Sequence, residues 1–174
     1  MNLNRLSMMI VAATLAGSAV YAQSSSAVAD LKASYTAIKT NLMKSAEATP
    51  EEDYSFKPTP EMRTLGALVG HIADVGVMYC STAAGKSERV SSADKTSKAD
   101  LVAALKASFD RCDAVFDSLT DATAGEQVAM GRMGTRSKFA WLVAAVVHDN
   151  EEYGYLAVYL RLKGVVPPSS APRK

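Results

Sequence analysis

Apolar residues recur along this chain in alternating steps of three and four, in four separate stretches. Leu31, Tyr35, Ile38 and Leu42 form the first series. Leu65, Leu68, Ile72, Val75 and Tyr79 form the second, and Leu101, Leu105, Phe109, Cys112, Phe116 and Leu119 the third. The fourth runs Phe139, Leu142, Val146, Asp149, Tyr153, Leu156 and Leu160, with a single charged member, Asp149. Such spacing lays one apolar stripe down one face of an α-helix. It predicts helices over about Ala27–Ala46, Leu65–Ala84, Lys98–Leu119 and Arg136–Lys163. Thr64 and the Ser97/Asp100 pair read as N-terminal caps. Thr49-Pro50, Gly85 and Gly164 with Pro167-Pro168 read as stops. The connectors are polar or broken by proline and glycine, and Asp121–Gly134 reads as irregular. No alternation of strand length is visible between the helices. The fold class is therefore all-α, a four-helix bundle over 23–170 with a disordered tail at 171–174. Leu31, Tyr35, Ile38, Leu68, Ile72, Leu105, Phe109, Leu142, Val146 and Tyr153 are expected in one core.

Met1–Ala22 has a different character. Arg5 is followed by an apolar run from Met8 to Ala16, and Val20-Tyr21-Ala22 places small residues three and one before a cleavage point at Gln23. This is the pattern of a secretory signal peptide, and the run is short for a permanent anchor. The mature chain is expected to be exported, periplasmic or extracellular, with no other segment long and apolar enough to span a bilayer. Arg5 is the only charge removed, so a formal net charge of +1 becomes neutral. A neutral chain carries no electrostatic footprint for nucleic acid. Two cysteines, Cys80 and Cys112, exclude a disulfide-dense scaffold or a four-cysteine zinc module, but an oxidising compartment would permit one bridge between them. Self-association as a homodimer is left open.

Only two histidines are present, His71 in the second predicted helix and His148 in the fourth. Glu152 follows His148 by four residues, so the two share a helix face. That spacing lets one helix offer two ligands to a metal, and His71 from a neighbouring helix would supply a third. Two imidazoles and a carboxylate suit Zn²⁺, with Fe or Ni as alternatives, and leave a coordination position open. The competing account of such a pair is a hydrogen-bonded or solvated helix surface. Asp74, one turn beyond His71, is a candidate partner for its free ring nitrogen or a solvated charge. Tyr155 is a candidate proton donor at the site mouth. Trp141 reads as packing and Arg161 as surface.

Two blocks carry a family resemblance. Phe56-Lys57-Pro58-Thr59-Pro60-Glu61-Met62-Arg63-Thr64-Leu65, leading into Gly70-His71-Ile72-Ala73-Asp74, is one. The other runs from His148 through Glu152-Tyr153-Gly154 and Tyr159-Leu160-Arg161-Leu162-Lys163-Gly164 to Ser170. Together they resemble the DinB-like family of DinB/YfiT-type metalloenzymes, across about Leu31 to Ser170. The resemblance implies an up-down-down-up bundle and a divalent metal held by three histidines, one in the second helix and two in the fourth. His71 and His148 match two of these, and the third falls on Glu152, where this chain departs from histidine.

Some members of that family are thiol-dependent transferases or isomerases, and others have been regarded as hydrolases. Export leans toward hydrolysis of a small molecule, because a cytosolic thiol cofactor would be scarce outside the membrane. A non-catalytic binding bundle with a degenerate metal site is the alternative, supported by Glu152. Covalent haem is excluded by the lack of a Cys-x-x-Cys-His run. The sequence names no substrate.

Overall fold

The computed structural model describes residues 26–172; the predicted signal peptide Met1–Ala22 lies outside them. Each of four α-helices starts at a residue whose hydroxyl can satisfy a free backbone N–H. Ser26 accepts from Ala29 N ahead of α1 (Ala27–Ala48), and Thr64 from Ala67 N ahead of α2 (Leu65–Ala83). Ser97 accepts from Asp100 N ahead of α3 (Lys98–Ser118), and Ser137 from Ala140 N ahead of α4 (Lys138–Leu162). Replacing such a cap by alanine costs about 1 kcal/mol. At the end of α2, Gly85 takes a left-handed φ of 74°, which lets Lys86 N reach back to the Ser81 carbonyl at 2.8 Å. Gly164 does the same after α4, with Val165 N donating to Leu160 O.

The direction of each helix follows from its contacts. Gly66 and Gly70 lie against Leu101, Gly76 lies against Ser108, and Cys80 is bonded to Cys112, so α2 and α3 climb together and are parallel. The Lys98 ammonium donates to the carbonyls of Glu47 and Thr49, whereas Lys32 near the other end of α1 reaches the Asp117 carbonyl, so α1 opposes α3. Tyr79 packs on Trp141, His71 on His148, and Tyr159 bonds to Arg63, so α4 opposes α2. The path is up-down-down-up, and the helices pack in the ring order α1, α3, α2, α4. The 84–97 segment makes the crossover that two parallel helices require.

The core holds the expected stripes of α1, α2 and α3, including Leu31, Tyr35, Ile38, Leu68, Ile72, Leu105 and Phe109, together with Leu142 and Val146 of α4. Tyr35 stacks on Phe116 with centroids 3.8 Å apart and donates its hydroxyl to Asp113 at 2.8 Å. Each fully buried large side chain contributes about 1.5–3 kcal/mol.

Three expectations are corrected. Tyr153 is half-buried: it packs against the edge of the core, and its hydroxyl donates to Ser169 Oγ and accepts from Ser169 N, fastening the chain end. That chain end makes a 3-10 turn at Pro168–Ser170, and Arg161 donates to Ser170 Oγ. The stretch read as irregular contains a two-stranded antiparallel hairpin, β1 (Gln127–Ala129) with β2 (Thr135–Ser137). Three residues per strand are too few to show a period. The hairpin is held from outside, by Trp141 Nε1 donating to the Val128 carbonyl at 2.9 Å and by Arg136 over the indole. Finally, α2 is long and apolar enough to cross a membrane by length and composition, against the expectation that only the N-terminus was apolar enough. Its apolarity is that of a central helix, touched by α3 on one side and α4 on the other.

Candidate metal centre

The seam between α2 and α4 is apolar except at one level. On α2, Leu68 and Ile72 point into the core and leave His71 at the edge of the seam. On α4 the buried seam runs Ala145, Asp149, Glu152, Leu156, Tyr159. Relative to the stripe read from sequence, burial passes from Tyr153 to its neighbour Glu152. An acidic residue, 6% exposed, thus sits where an apolar one would be cheaper.

At that level three donor atoms converge. His71 Nε2 and His148 Nε2 are 3.3 Å apart, and Glu152 Oε1 is 3.4 Å from the first and 3.5 Å from the second. In a tetrahedral site with bonds of about 2.0–2.2 Å, neighbouring donors stand about 3.3–3.6 Å apart, whereas octahedral neighbours at the same bond lengths stand about 2.8–3.1 Å apart. The three atoms have the spacing of one face of a tetrahedron. Two further atoms in the cluster, Glu152 Oε2 and His148 Nδ1, are buried without a hydrogen-bond partner. An unsatisfied buried polar atom costs about 1–3 kcal/mol, more when charged. The residues present therefore fit a divalent cation, which would take the buried charge as its counter-charge.

The surroundings tune the donors. Burial pushes the His71 pKa below its ordinary value, and the nearby Arg63 guanidinium adds to this while Glu152 opposes it. His71 is held neutral, the form that binds metal. Asp149 is 4% exposed, and its Oδ1 lies 3.6 Å from His148 Nδ1, at ion-pair range but beyond a hydrogen bond. Burial raises its pKa, partly offset by His148. The His71 and His148 rings meet edge-on with centroids 5.2 Å apart, and Tyr79 lies tilted against His148 at 6.1 Å.

The remaining candidates fall elsewhere. Asp74 accepts from Ser92 N at 2.9 Å and from Ser92 Oγ at 2.8 Å. It is neither a hydrogen-bond partner of His71 nor a solvated charge; it clasps the crossover onto α2. Tyr155 is 49% exposed, its hydroxyl donates to Glu151 at 3.2 Å, and it shares the rim of a depression of about 560 Å³ with Glu152, Arg63 and Tyr159. Cys80 and Cys112, both buried, form a disulfide between α2 and α3, one helix layer away from the cluster. Sequence spacing missed Asp149, Arg63 and Tyr159. Asp149 was signalled only as a charge on an apolar stripe, and Arg63 and Tyr159 meet across 96 residues with no local mark.

An up-down-down-up helical bundle with a histidine–carboxylate cluster where its second and fourth helices meet is the class of protein defined here. The chain belongs to the DinB superfamily, whose family model matches residues 34–156. Its structure is similar to that of a DinB-like protein from Bacillus cereus, with a TM-score of 0.68 and 20% identity, covering 79% of this chain and 93% of the other. A DinB-like protein from Bacillus subtilis gives 0.65 and 20%, covering 83% and 99%. A variant of mycothiol-dependent maleylpyruvate isomerase gives 0.58 and 12%, covering 77% and 66%. At these identities the likeness is one of fold. No curated protein matches the chain in sequence.

Proposed function

We propose that this protein is an exported, zinc-binding helical bundle acting on a small molecule by metal-dependent hydrolysis or group transfer. The observation that carries the reading is the 3.3–3.5 Å triangle of His71 Nε2, His148 Nε2 and Glu152 Oε1, on a buried carboxylate whose other oxygen has no hydrogen-bond partner. Tetrahedral spacing favours zinc over iron or nickel, which more often take six ligands. Such a cation supplies Lewis acidity, polarising an acyl or phosphoryl oxygen or acidifying a water or thiol. The chain supplies the rest. Glu152 and the two imidazoles hold the cation, and the carboxylate partly neutralises its charge. Tyr155, on the rim of the depression, stays protonated because its hydrogen bond to Glu151 raises its pKa, and it is the proton donor to the leaving group in this reading. The depression beside Glu152, about 560 Å³, has the size of a small-molecule site.

Elemental analysis of the purified protein tests the reading. We expect one zinc per chain, lost in Glu152→Ala and retained in Glu152→His. Unchanged zinc in Glu152→Ala would overturn the ligand set. A non-catalytic zinc-binding bundle is the second reading, favoured by the carboxylate at a position where the family resemblance implies histidine; metal at full occupancy without turnover of any ester, amide or thiol substrate would select it. The buried disulfide supports export, since such bonds persist in oxidising compartments. An intact mass of the exported protein beginning at Gln23 checks this.

A further inference from the structure

The depression next to Glu152 is bounded on its other side by Arg63, the residue before the α2 cap. Two features make this arginine unusual for a surface cation. Its backbone is pinned: the Tyr159 hydroxyl, from a side chain 2% exposed, donates to the Arg63 carbonyl at 2.9 Å. Its guanidinium is nonetheless idle, making no ion pair or hydrogen bond among the described residues. The side chain is exposed, and it starts from a fixed backbone position on the rim of the candidate site with its donors unused. Glu61, on the same rim, does not pair with it. Met62 and Leu68 supply apolar wall in the same depression.

We propose that Arg63 is the anchor for an oxyanion group of the substrate. The substrate class is then a small organic anion, with a carboxylate or phosphate on Arg63, an apolar body along Met62 and Leu68, and the reacting group toward Glu152, the member of the cluster that lines the depression. The last clause rests on the metal reading above; the anion anchor does not. A guanidinium presents two parallel N–H donors, which match two oxygens of either group and are wasted on a neutral ligand. Glu61 opposes the same ligand through its charge.

The test is a titration of the purified protein, with and without added zinc, using benzoate, phenyl phosphate and neutral benzyl alcohol as probes, followed by calorimetry and by the ring shifts of Tyr155 and Tyr159. We expect both anions to bind and benzyl alcohol not to, the ratio of the two anions identifying the preferred oxyanion. Arg63→Gln should weaken anion binding by about tenfold to a hundredfold, the range for loss of a charged hydrogen-bond donor. Arg63→Lys should recover part of it, and Glu61→Gln should strengthen it. Zinc content should be unchanged in all three variants. Equal anion affinity in Arg63→Gln and the parent, or equal binding of benzyl alcohol and benzoate, would overturn the assignment. Arg63-dependent anion binding in a protein that takes up no zinc would sink the metal reading and leave the anchor standing.

Discussion

Reducing the Cys80–Cys112 bond gives a perturbation whose size can be worked out beforehand. The bridge closes a loop of sequence separation 32 between two parallel helices. In the chain-entropy account, a loop of that length removes about 12 cal/mol/K from the unfolded ensemble, or about 3.7 kcal/mol at 25 °C. Both cysteines are almost fully buried, and Cys112 already contacts the Gly76 carbonyl, so the thiols remain as small apolar side chains and the native packing changes little. The effect should therefore fall on the unfolded state. For a domain of this size, each 1 kcal/mol moves Tm by about 2–4 °C, so reduction should lower Tm by about 7–15 °C. The assay is thermal unfolding followed by circular dichroism, with the reduced protein alkylated only after unfolding to verify its state. The Cys80→Ala, Cys112→Ala double variant should show a similar loss with or without reductant. A shift below about 2 °C on complete reduction would refute the reasoning, because the unfolded chain would then hold α2 and α3 together without the bond.

Three further outcomes are expected. Zinc affinity should fall as pH drops below about 6.5, the ordinary histidine value, because a protonated imidazole cannot bind the metal; burial lowers the pKa of His71 and moves its own protonation to lower pH. In the metal-free protein the same lowered pKa means that the unfolded chain binds more protons than the folded one; stability should be level above about pH 6.5 and decline as pH falls toward the folded-state value of His71, in a urea titration across pH. Gly76→Ala should destabilise by about 1–3 kcal/mol, since a Cβ there would lie 2.5 Å from Ser108 Oγ in the tight α2–α3 interface; an unchanged midpoint in chemical denaturation would show that Ser108 can turn aside freely.

Much of this was legible in the sequence because it is periodic or local. Helix positions followed from three- and four-residue steps, their starts from Thr64 and Ser97, and their ends from Gly85 and Gly164. The convergence of His71, His148 and Glu152 was legible as one turn of helix plus a neighbour. What was hidden depends on partners distant in sequence. The α4 stripe could be drawn through Tyr153 or Glu152, one step apart, and an apolar pattern prefers the tyrosine. The choice fell the other way because Glu152 faces His71 while Tyr153 reaches Ser169. Asp74 gave no sign that its partner was Ser92, 18 residues on. The 127–137 hairpin is too short to carry a signal of its own and exists where Trp141 offers it a donor.

The ring order α1, α3, α2, α4 bears on how the chain reaches this structure. Helices adjacent in sequence are not paired as neighbours at either end of the chain: α1 sits diagonally from α2, and α3 from α4. The one consecutive pair that does pack, α2 with α3, is parallel and must first be threaded through the 84–97 crossover. No two-helix hairpin can form early and wait for the rest. Each productive contact spans a long stretch of chain, as from Arg63 to Tyr159 or His71 to His148, and its loop entropy is lost before its packing is gained. This raises the contact order above that of an up-and-down bundle of equal length. Folding should therefore be slower than helix content alone suggests, with the two histidines meeting only when α4 closes the ring.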